Sequence, residues 1–140
     1  MRPEFFIDTN VFVRHTLNDH LEHSPLARAL IASIDSGEVS AETSATVIFE
    51  TVHVLHKVYG IERAKVTDTM RELVAMPGLH VPNRPQIQKA FNLWLDFGRI
   101  SFADAYHLVL TSHSSHRRIA SFDKGMDRCL PGVIRIEQFP

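Results

Sequence analysis

Short apolar segments alternate with helix-forming segments along the whole chain, and this alternation restricts the fold more than any other feature. The apolar segments lie at residues 4–7, 38–41, 79–81, 118–122 and 133–136. Between them the sequence predicts helices at about residues 8–16, 24–36, 44–59, 62–75, 83–97 and 101–113. Such alternation is typical of a parallel sheet covered by helices on both faces. We therefore expect one α/β domain over residues 1–140, a three-layer α/β/α sandwich with a central, mainly parallel sheet.

Several helix ends are marked by residues with known capping preferences. Ser24 followed by Pro25 is typical of an N-cap and a first helical position. Glycine favours the end of a helix, which places two of these ends at Gly37 and Gly60. The third helix is expected to begin after Thr43 or Ser44. The second helix is expected to bury one apolar face, formed by Leu26, Leu30, Ile31 and Ile34.

The composition excludes several classes of protein. The single cysteine, Cys129, cannot form an internal disulfide. The N-terminal segment has no apolar stretch of signal-peptide length, and no segment is apolar enough to span a membrane. We therefore expect a cytoplasmic protein. The net charge of −1 is not typical of nucleic-acid-binding domains, but removing four acids for a metal site would leave 15 basic against 12 acidic residues.

Three carboxylates occur where the predicted fold places ligand sites. Asp8 and Asp123 directly follow the apolar segments 4–7 and 118–122, which are of the kind found at the centre of a sheet. Ligands of open α/β sheets bind outside the carboxyl ends of the strands. Asp104 lies in the first turn of the helix opened by Ser101, where exposed N–H groups favour a negative charge.

Glu50 is a fourth candidate because it lies inside an apolar helix. Its helical neighbours include no lysine or arginine; they are Thr46, Val47, His53 and Val54. A carboxylate without a basic partner in such a helix is unfavourable unless another group, such as a metal ion, satisfies it. Each acid also has a structural interpretation: Asp8 as a helix cap, Asp104 as a capping-box acid, Asp123 as part of a turn, and Glu50 as a solvated residue.

Taken together, four segments resemble a known family. They are FIDTNVF at residues 6–12, TVIFE at 46–50, SFADAYHL at 101–108 and ASFDK at 120–124. The chain resembles the PIN-domain nucleases, and particularly the toxin component of VapBC-type toxin–antitoxin pairs. The resemblance implies a metal-dependent endoribonuclease, a cognate antitoxin protein whose residues enter the active site, and a homodimer.

The resemblance also implies roles for individual residues. The family's acidic metal ligands match Asp8, Glu50, Asp104 and Asp123. The small polar residue after the first acid matches Thr9, with Asn10 beside it, and the hydroxyl residue before the last acid matches Ser121. The roles of Asp127, a further acid, and of His107 stay open.

Such a carboxylate site suits Mg²⁺ or Mn²⁺, because these hard cations prefer oxygen ligands. The metal would offset the repulsion between the carboxylates and an RNA phosphodiester. The expected reaction is hydrolysis that leaves 5′-phosphate and 3′-hydroxyl ends. Candidate phosphate contacts are Arg14, Lys57, Arg99, Arg117, Arg118, Lys124 and Arg128.

Three alternatives are weighed against this hypothesis. A histidine metal site is disfavoured because the pairs at residues 53/56 and 113/116 form no His-Glu-x-x-His motif. A phosphotransfer or receiver domain usually has a second acid within two or three residues of the first, and Asp8 has none. The third alternative is a catalytically inactive PIN-like binding or structural subunit, which the intact acids argue against.

Overall fold

Strands and helices alternate from the N-terminus of the molecule as the sequence predicts. The structure is a computed structural model and describes residues 2–112, 119–120 and 135–136. The chain falls into two compact units, Met1–Arg84 and Pro85–Pro140. The expectation of one domain over residues 1–140 stays a prediction. Among the described residues, no helix is long and apolar enough to cross a membrane.

The first unit contains three strands and four helices. In chain order they are β1 (Phe5–Phe6), α1 (Thr9–Leu17), α2 (His23–Asp35), β2 (Ala41–Glu42), α3 (Ala45–His53), a π-helical turn (Val54–Val58), α4 (Arg63–Ala75) and β3 (Leu79–His80). The strands form a parallel sheet in the order β1-β2-β3, with Phe5 opposite Ala41 and Ala41 opposite Leu79. Parallel neighbours need crossover connections, which the intervening helices supply. The predicted parallel pairing is therefore confirmed in this unit.

Within the sheet of the first unit, β2 lies between β1 and β3. Ala41 of β2 is fully buried, whereas Phe5 and Phe6 of β1 are 48% and 56% exposed and Ile7 is buried. The expectation that the segment before Asp8 lies at the centre of the whole sheet stays a prediction.

The start of α2 differs from the predicted helix start. Ser24 is not the N-cap, because α2 begins at His23. The backbone N–H of His23 instead donates to Nδ1 of His20 at 2.9 Å, and the N–H of His20 donates to the buried Ser24 hydroxyl at 3.1 Å. An imidazole thus accepts at the helix start, where a hydroxyl was expected. Side-chain acceptors at this position satisfy N–H groups that the helix itself leaves unpaired.

The predicted apolar face of α2 is wrong at Leu26, which is 69% exposed. Ile31 and Ile34 are buried as predicted, Leu30 is half-buried, and Ala27 is buried in place of Leu26. The buried positions keep the spacing of three to four residues expected of one helix face. The buried face of α2 is therefore rotated from the predicted one. The four apolar residues of this helix did not determine which side packs against the rest of the protein.

The third helix begins and ends as predicted but is not regular throughout. The Ser44 hydroxyl accepts from the N–H of Val47 at 3.1 Å, and Gly60 with φ of 70° ends the helical segment. In the last turn the N–H of Tyr59 donates to the carbonyl of Val54 at 3.0 Å, which is the π-helical spacing. The sequence contains no signal that predicted this wider turn.

Among its described residues, the second unit has two helices and a pair of parallel strands. They are α5 (Arg84–Asp96), which begins at the unit boundary, α6 (Phe102–Ser112), β4 (Ile119–Ala120) and β5 (Arg135–Ile136). Within this unit Phe102 packs against Phe91, with ring centroids 4.4 Å apart, and against the edge of Trp94 at 6.0 Å. These rings are buried and anchor the beginning of α6, the helix that carries Asp104.

Candidate active site

Asp8 lies at the carboxyl end of β1 and is the N-cap of α1. Its backbone is extended, with φ of −87° and ψ of 164°, and its Oδ1 accepts from the N–H of Thr9 at 2.8 Å. The side chain is exposed. The interpretation of Asp8 as a helix cap is therefore confirmed, and the cap uses one of its two carboxylate oxygens. A carboxylate has two acceptor oxygens, so capping leaves capacity for a second partner.

The end of β1 is tied to the end of β2. The N–H of Ile7 donates to the carbonyl of Glu42 at 2.8 Å, and the buried hydroxyl of Thr43 donates to the carbonyl of Ile7 at 2.9 Å. Ser44, the next residue, caps α3. These contacts fix Asp8 and the beginning of α3 relative to each other, at the sheet edge where the sequence predicted the site.

Glu50 lies on the exposed side of α3, while the buried residues of this helix are Val47, Ile48, Thr51 and Val52. The interpretation of Glu50 as a carboxylate embedded in apolar surroundings is thus wrong, because the helix directs its apolar residues to another face. The side chain is nevertheless held in place. The Thr9 hydroxyl donates to Oε2 of Glu50 at 2.9 Å.

Thr9 is the residue that brings the two acids together. Its backbone N–H donates to Asp8, and its hydroxyl donates to Glu50. Thr9 is only 8% exposed, whereas both carboxylates are exposed. Within the described part of the chain, neither carboxylate forms an ion pair with a lysine or arginine. The two acids therefore accept from two donors of the same residue and keep their negative charge available for a cation.

Asp104 lies in the second unit, in the first turn of α6. Its N–H donates to the Ser101 hydroxyl at 3.0 Å, so the predicted capping interaction is present. The Asp104 side chain is partly exposed, and His107, one turn further on, is exposed. The structure thus shows Ser101 capping α6 through the backbone of Asp104. The role of the Asp104 carboxylate, as a capping-box acid or as a metal ligand, stays a prediction.

The remaining sequence-predicted site residues, Ser121, Asp123 and Asp127, lie outside the described residues. Among residues 2–112, 119–120 and 135–136, no three His, Cys, Asp or Glu side chains are grouped so that they could hold a metal ion. Asp8 and Glu50 are a pair, and the described residues add no third member. The assignment of Asp104 and Asp123 to the same site rests on the resemblance alone.

The donor set at Thr9 fits a hard divalent cation. Both candidate ligands are carboxylates with exposed oxygens, and no thiolate or imidazole belongs to the pair. Mg²⁺ usually binds through one or two carboxylates and keeps several waters, so two carboxylates are enough to bind one Mg²⁺ ion. Zinc in structural sites prefers cysteine and histidine, which this pair lacks.

A second feature beside Asp8 was missed in the sequence. The rings of His20 and His23 stack with centroids 4.0 Å apart and planes 6° apart. His23 lines a cavity of about 410 Å³ that also reaches Asn10, on the first turn of α1. The spacing of three residues between these histidines was the available signal. The same spacing occurs at residues 53/56 and 113/116, where it was considered only as part of a possible metal site.

Comparison with known protein families agrees with this fold. The sequence matches the PIN domain family over residues 5–129. The chain therefore belongs to the PIN-domain family, and the expected PIN-like α/β/α fold is confirmed at that level. PIN domains are generally nucleases and often depend on a metal ion, which gives the class of enzyme. No curated protein matches the chain.

Proposed function

We propose that this PIN domain is a Mg²⁺- or Mn²⁺-dependent endoribonuclease. The observation that carries the proposal is the pair of hydrogen bonds from Thr9 to Asp8 and Glu50. They hold two exposed carboxylates, 42 positions apart in the sequence, at the end of one strand of a nuclease-family fold. RNA as the substrate is supported by the resemblance of the four segments to VapBC-type toxins.

In this proposal Asp8 and Glu50 hold the metal, and Asp104 and Asp123 complete the set by resemblance. A bound metal ion would neutralise the carboxylates, attract the phosphodiester and lower the pKa of a water. Thr9 orients Glu50 through its hydroxyl, and the Asp8 backbone is fixed by its place between β1 and α1. Asn10 and Ser121 are proposed to support these acids.

Exposed basic side chains are proposed to contact the RNA backbone. Lys57 lies in the π-helical turn that follows α3, and Arg99 lies between α5 and α6; both are exposed. Arg14 is paired with Asp19 at 3.0 Å. The other four candidates, at residues 117, 118, 124 and 128, lie outside the described residues. Phosphate contacts of this kind supply affinity that falls as salt rises.

We further propose that the protein is the toxin of a type II toxin–antitoxin pair, that it acts in the cytoplasm and that it forms a homodimer. The resemblance to VapBC-type toxins supports each of these statements. A small antitoxin gene beside this one is the simplest observation to seek. Co-expression of the two proteins should give a stable complex in which cleavage is inhibited. Light scattering of the isolated protein should give the mass of a dimer.

The direct test is cleavage of labelled single-stranded RNA. Activity should disappear in EDTA and return with Mg²⁺ or Mn²⁺. Ca²⁺ should bind but support little hydrolysis, because its larger and looser coordination positions water poorly. Full activity in EDTA would contradict the metal-dependent mechanism. Absence of cleavage under all metals, with the fold intact, would favour the inactive binding subunit.

A further inference from the structure

A cavity lies between α1 and α2, and its lining includes Asn10, two residues after Asp8. Its volume is about 410 Å³, which is within the range of small-molecule sites. Its walls combine polar and apolar side chains from both helices: Asn10, Arg14, His23, Leu26, Ala27 and Leu30. Asn10 follows Asp8 by two residues, and Thr9 between them contacts Glu50. The cavity and the acid pair therefore share the first turn of α1.

One wall of the cavity is an imidazole that is already stacked. The His23 ring lies nearly parallel to the His20 ring, with a centroid distance of 4.0 Å. The His20 ring is itself fixed, because its Nδ1 accepts from the N–H groups of Glu22 at 3.3 Å and of His23 at 2.9 Å. The stack on the fixed His20 ring favours the observed orientation of His23, which reduces the entropy lost on binding.

The other walls supply hydrogen-bonding groups and apolar contact. Asn10 carries an amide with both donors and an acceptor, the combination that can pair with the edge of a base. Arg14 lies one helical turn further on the same face of α1, and Asp19 holds its guanidinium at 3.0 Å. Leu26 is 69% exposed although it is a large apolar residue, and it stands at this cavity.

We propose that this cavity binds one unpaired nucleobase of the RNA substrate and thereby selects the sequence that is cut. The proposal rests on the proposed ribonuclease function. Proteins read single-stranded RNA by stacking splayed bases on aromatic rings or guanidinium planes and by hydrogen-bonding to the base edges. The stacked imidazole pair, the Asn10 amide and the apolar side chains supply these elements within one cavity. The shared helical turn places the bound base close to the phosphate that is cleaved.

The first experiment measures binding without turnover. Metal-free protein at pH 7.5 is titrated with the four nucleoside 5′-monophosphates and with ribose 5-phosphate, which has the same sugar and phosphate but no base. At least one nucleotide should shift the His23 ring proton signals in the NMR spectrum, and ribose 5-phosphate should not. Equal shifts from ribose 5-phosphate would show a phosphate site and overturn the proposal, as would the absence of shifts from every nucleotide.

Matched variants measure how much the His23 ring contributes to nucleotide affinity. His23→Ala should weaken nucleotide binding by about tenfold, the usual effect of losing one base–aromatic stack. His23→Phe should retain affinity, because a phenyl ring can still stack. Leu21→Ala is the control in the same loop, since Leu21 is 93% exposed and does not line the cavity. Equal affinity for His23→Ala and wild type would overturn the proposal.

The second experiment separates this proposal from the proposed function. Wild-type and His23→Ala proteins are given a randomised single-stranded RNA with Mg²⁺, and the cut sites are sequenced. The wild type should prefer one base near the cut, and the variant should cut with that preference reduced. If both proteins cut with the same preference, the ribonuclease function stands and the base site is wrong. If neither cuts although the nucleotides bind at His23, the proposed ribonuclease function fails while the base site stands.

Discussion

The hydroxyl of Thr9 donates to Oε2 of Glu50 at 2.9 Å, while the backbone N–H of the same residue donates to Asp8. One nearly buried residue thus connects two exposed acids from different elements. The contact depends on the parallel pairing of β1 and β2, because that pairing places the beginning of α1 beside α3. The geometry of the acid pair is therefore a consequence of the sheet topology.

Removing this hydroxyl should affect turnover more than stability. Thr9→Val keeps the shape of the side chain but loses the bond to Glu50. Because Glu50 would lose its fixed orientation, kcat should fall by about 10- to 100-fold, which corresponds to a barrier higher by about 1.4–2.7 kcal/mol. Thr9→Ser keeps the hydroxyl and should recover most of the activity. Equal kcat values for the valine and serine variants would contradict a positioning role for this hydroxyl.

Two substitutions at Asp8 separate its capping role from its proposed metal-binding role. Asn is as good an N-cap as Asp, so Asp8→Asn should unfold at a temperature close to that of wild type. Its cleavage activity should nevertheless fall by orders of magnitude, because the amide binds Mg²⁺ poorly. Asp8→Ala loses the cap as well and should be destabilised by about 1 kcal/mol. Calorimetry and RNA cleavage measure the two effects, and wild-type activity in Asp8→Asn would remove this residue from the site.

The sequence predicted much of the first unit because its signals are local. Ser44 caps α3 through a bond within one helical turn, and Gly60 ends the helical segment with a backbone angle that glycine adopts easily. The parallel sheet followed from the alternation of elements. The start of α2 was missed because its acceptor is the ring of His20, a residue type without a strong capping preference.

Part of the candidate site could be predicted because the position of Asp8 at the end of a strand is a local pattern. The hydrogen bond between Thr9 and Glu50 joins residues 41 positions apart, so it could be found only from the fold. The apolar neighbours of Glu50 suggested burial, whereas the helix turns this side chain to the exposed side. Periodicity gives the width of an apolar face, and packing against other elements decides its direction.

The turn before β3 provides a test of backbone packing in the first unit. A Cβ atom on Gly78 would lie 2.8 Å from the carbonyl oxygen of Val39 and closer still to that of Ile34. Backbone atoms cannot yield as a flexible side chain does, so Gly78→Ala should destabilise the protein by about 1–3 kcal/mol. Gly98→Ala is the matched control, because a Cβ there meets nothing within 4 Å. Urea unfolding measures both, and equal midpoints would contradict this packing.

Stability should decrease in mild acid because of His15. Burial lowers the pKa of this imidazole from its ordinary value of 6.5, and the nearby Arg28 guanidinium lowers it further. The unfolded chain therefore binds a proton near pH 6.5 that the folded chain does not yet bind. It follows that the free energy of unfolding falls as pH decreases from 6.5 to the lowered pKa of the folded state.

The comparison of wild type with His15→Gln isolates this group from the other eight histidines. Glutamine is polar but does not titrate, so the loss of stability between pH 7.5 and pH 5.5 should be smaller in the variant. Urea unfolding at the two pH values measures the difference. The same loss in both proteins would show that His15 does not contribute to the acid sensitivity.

The chemical ends of the products distinguish the proposed mechanism from a histidine-based one. A histidine ribonuclease uses the 2′-hydroxyl of the RNA as nucleophile, with histidine as acid and base, and leaves a 2′,3′-cyclic phosphate or a 3′-phosphate. The carboxylate site proposed here uses water as the nucleophile. Its downstream product should carry a 5′-phosphate, and its upstream product a free 3′-hydroxyl. A single 2′-deoxy substitution at the cut position should then permit cleavage, although affinity decreases if that hydroxyl is recognised.

Mass spectrometry of a short RNA, cut once, measures these ends directly. The water mechanism adds one water across the phosphodiester, so the upstream fragment should carry no phosphate at its 3′ end. The Asp8→Asn variant is the control, because contamination by another ribonuclease would leave its products in the variant sample as well. A cyclic phosphate that appears with wild type and disappears with Asp8→Asn would overturn the water mechanism. It would require the acids to act through the 2′-hydroxyl of the substrate instead.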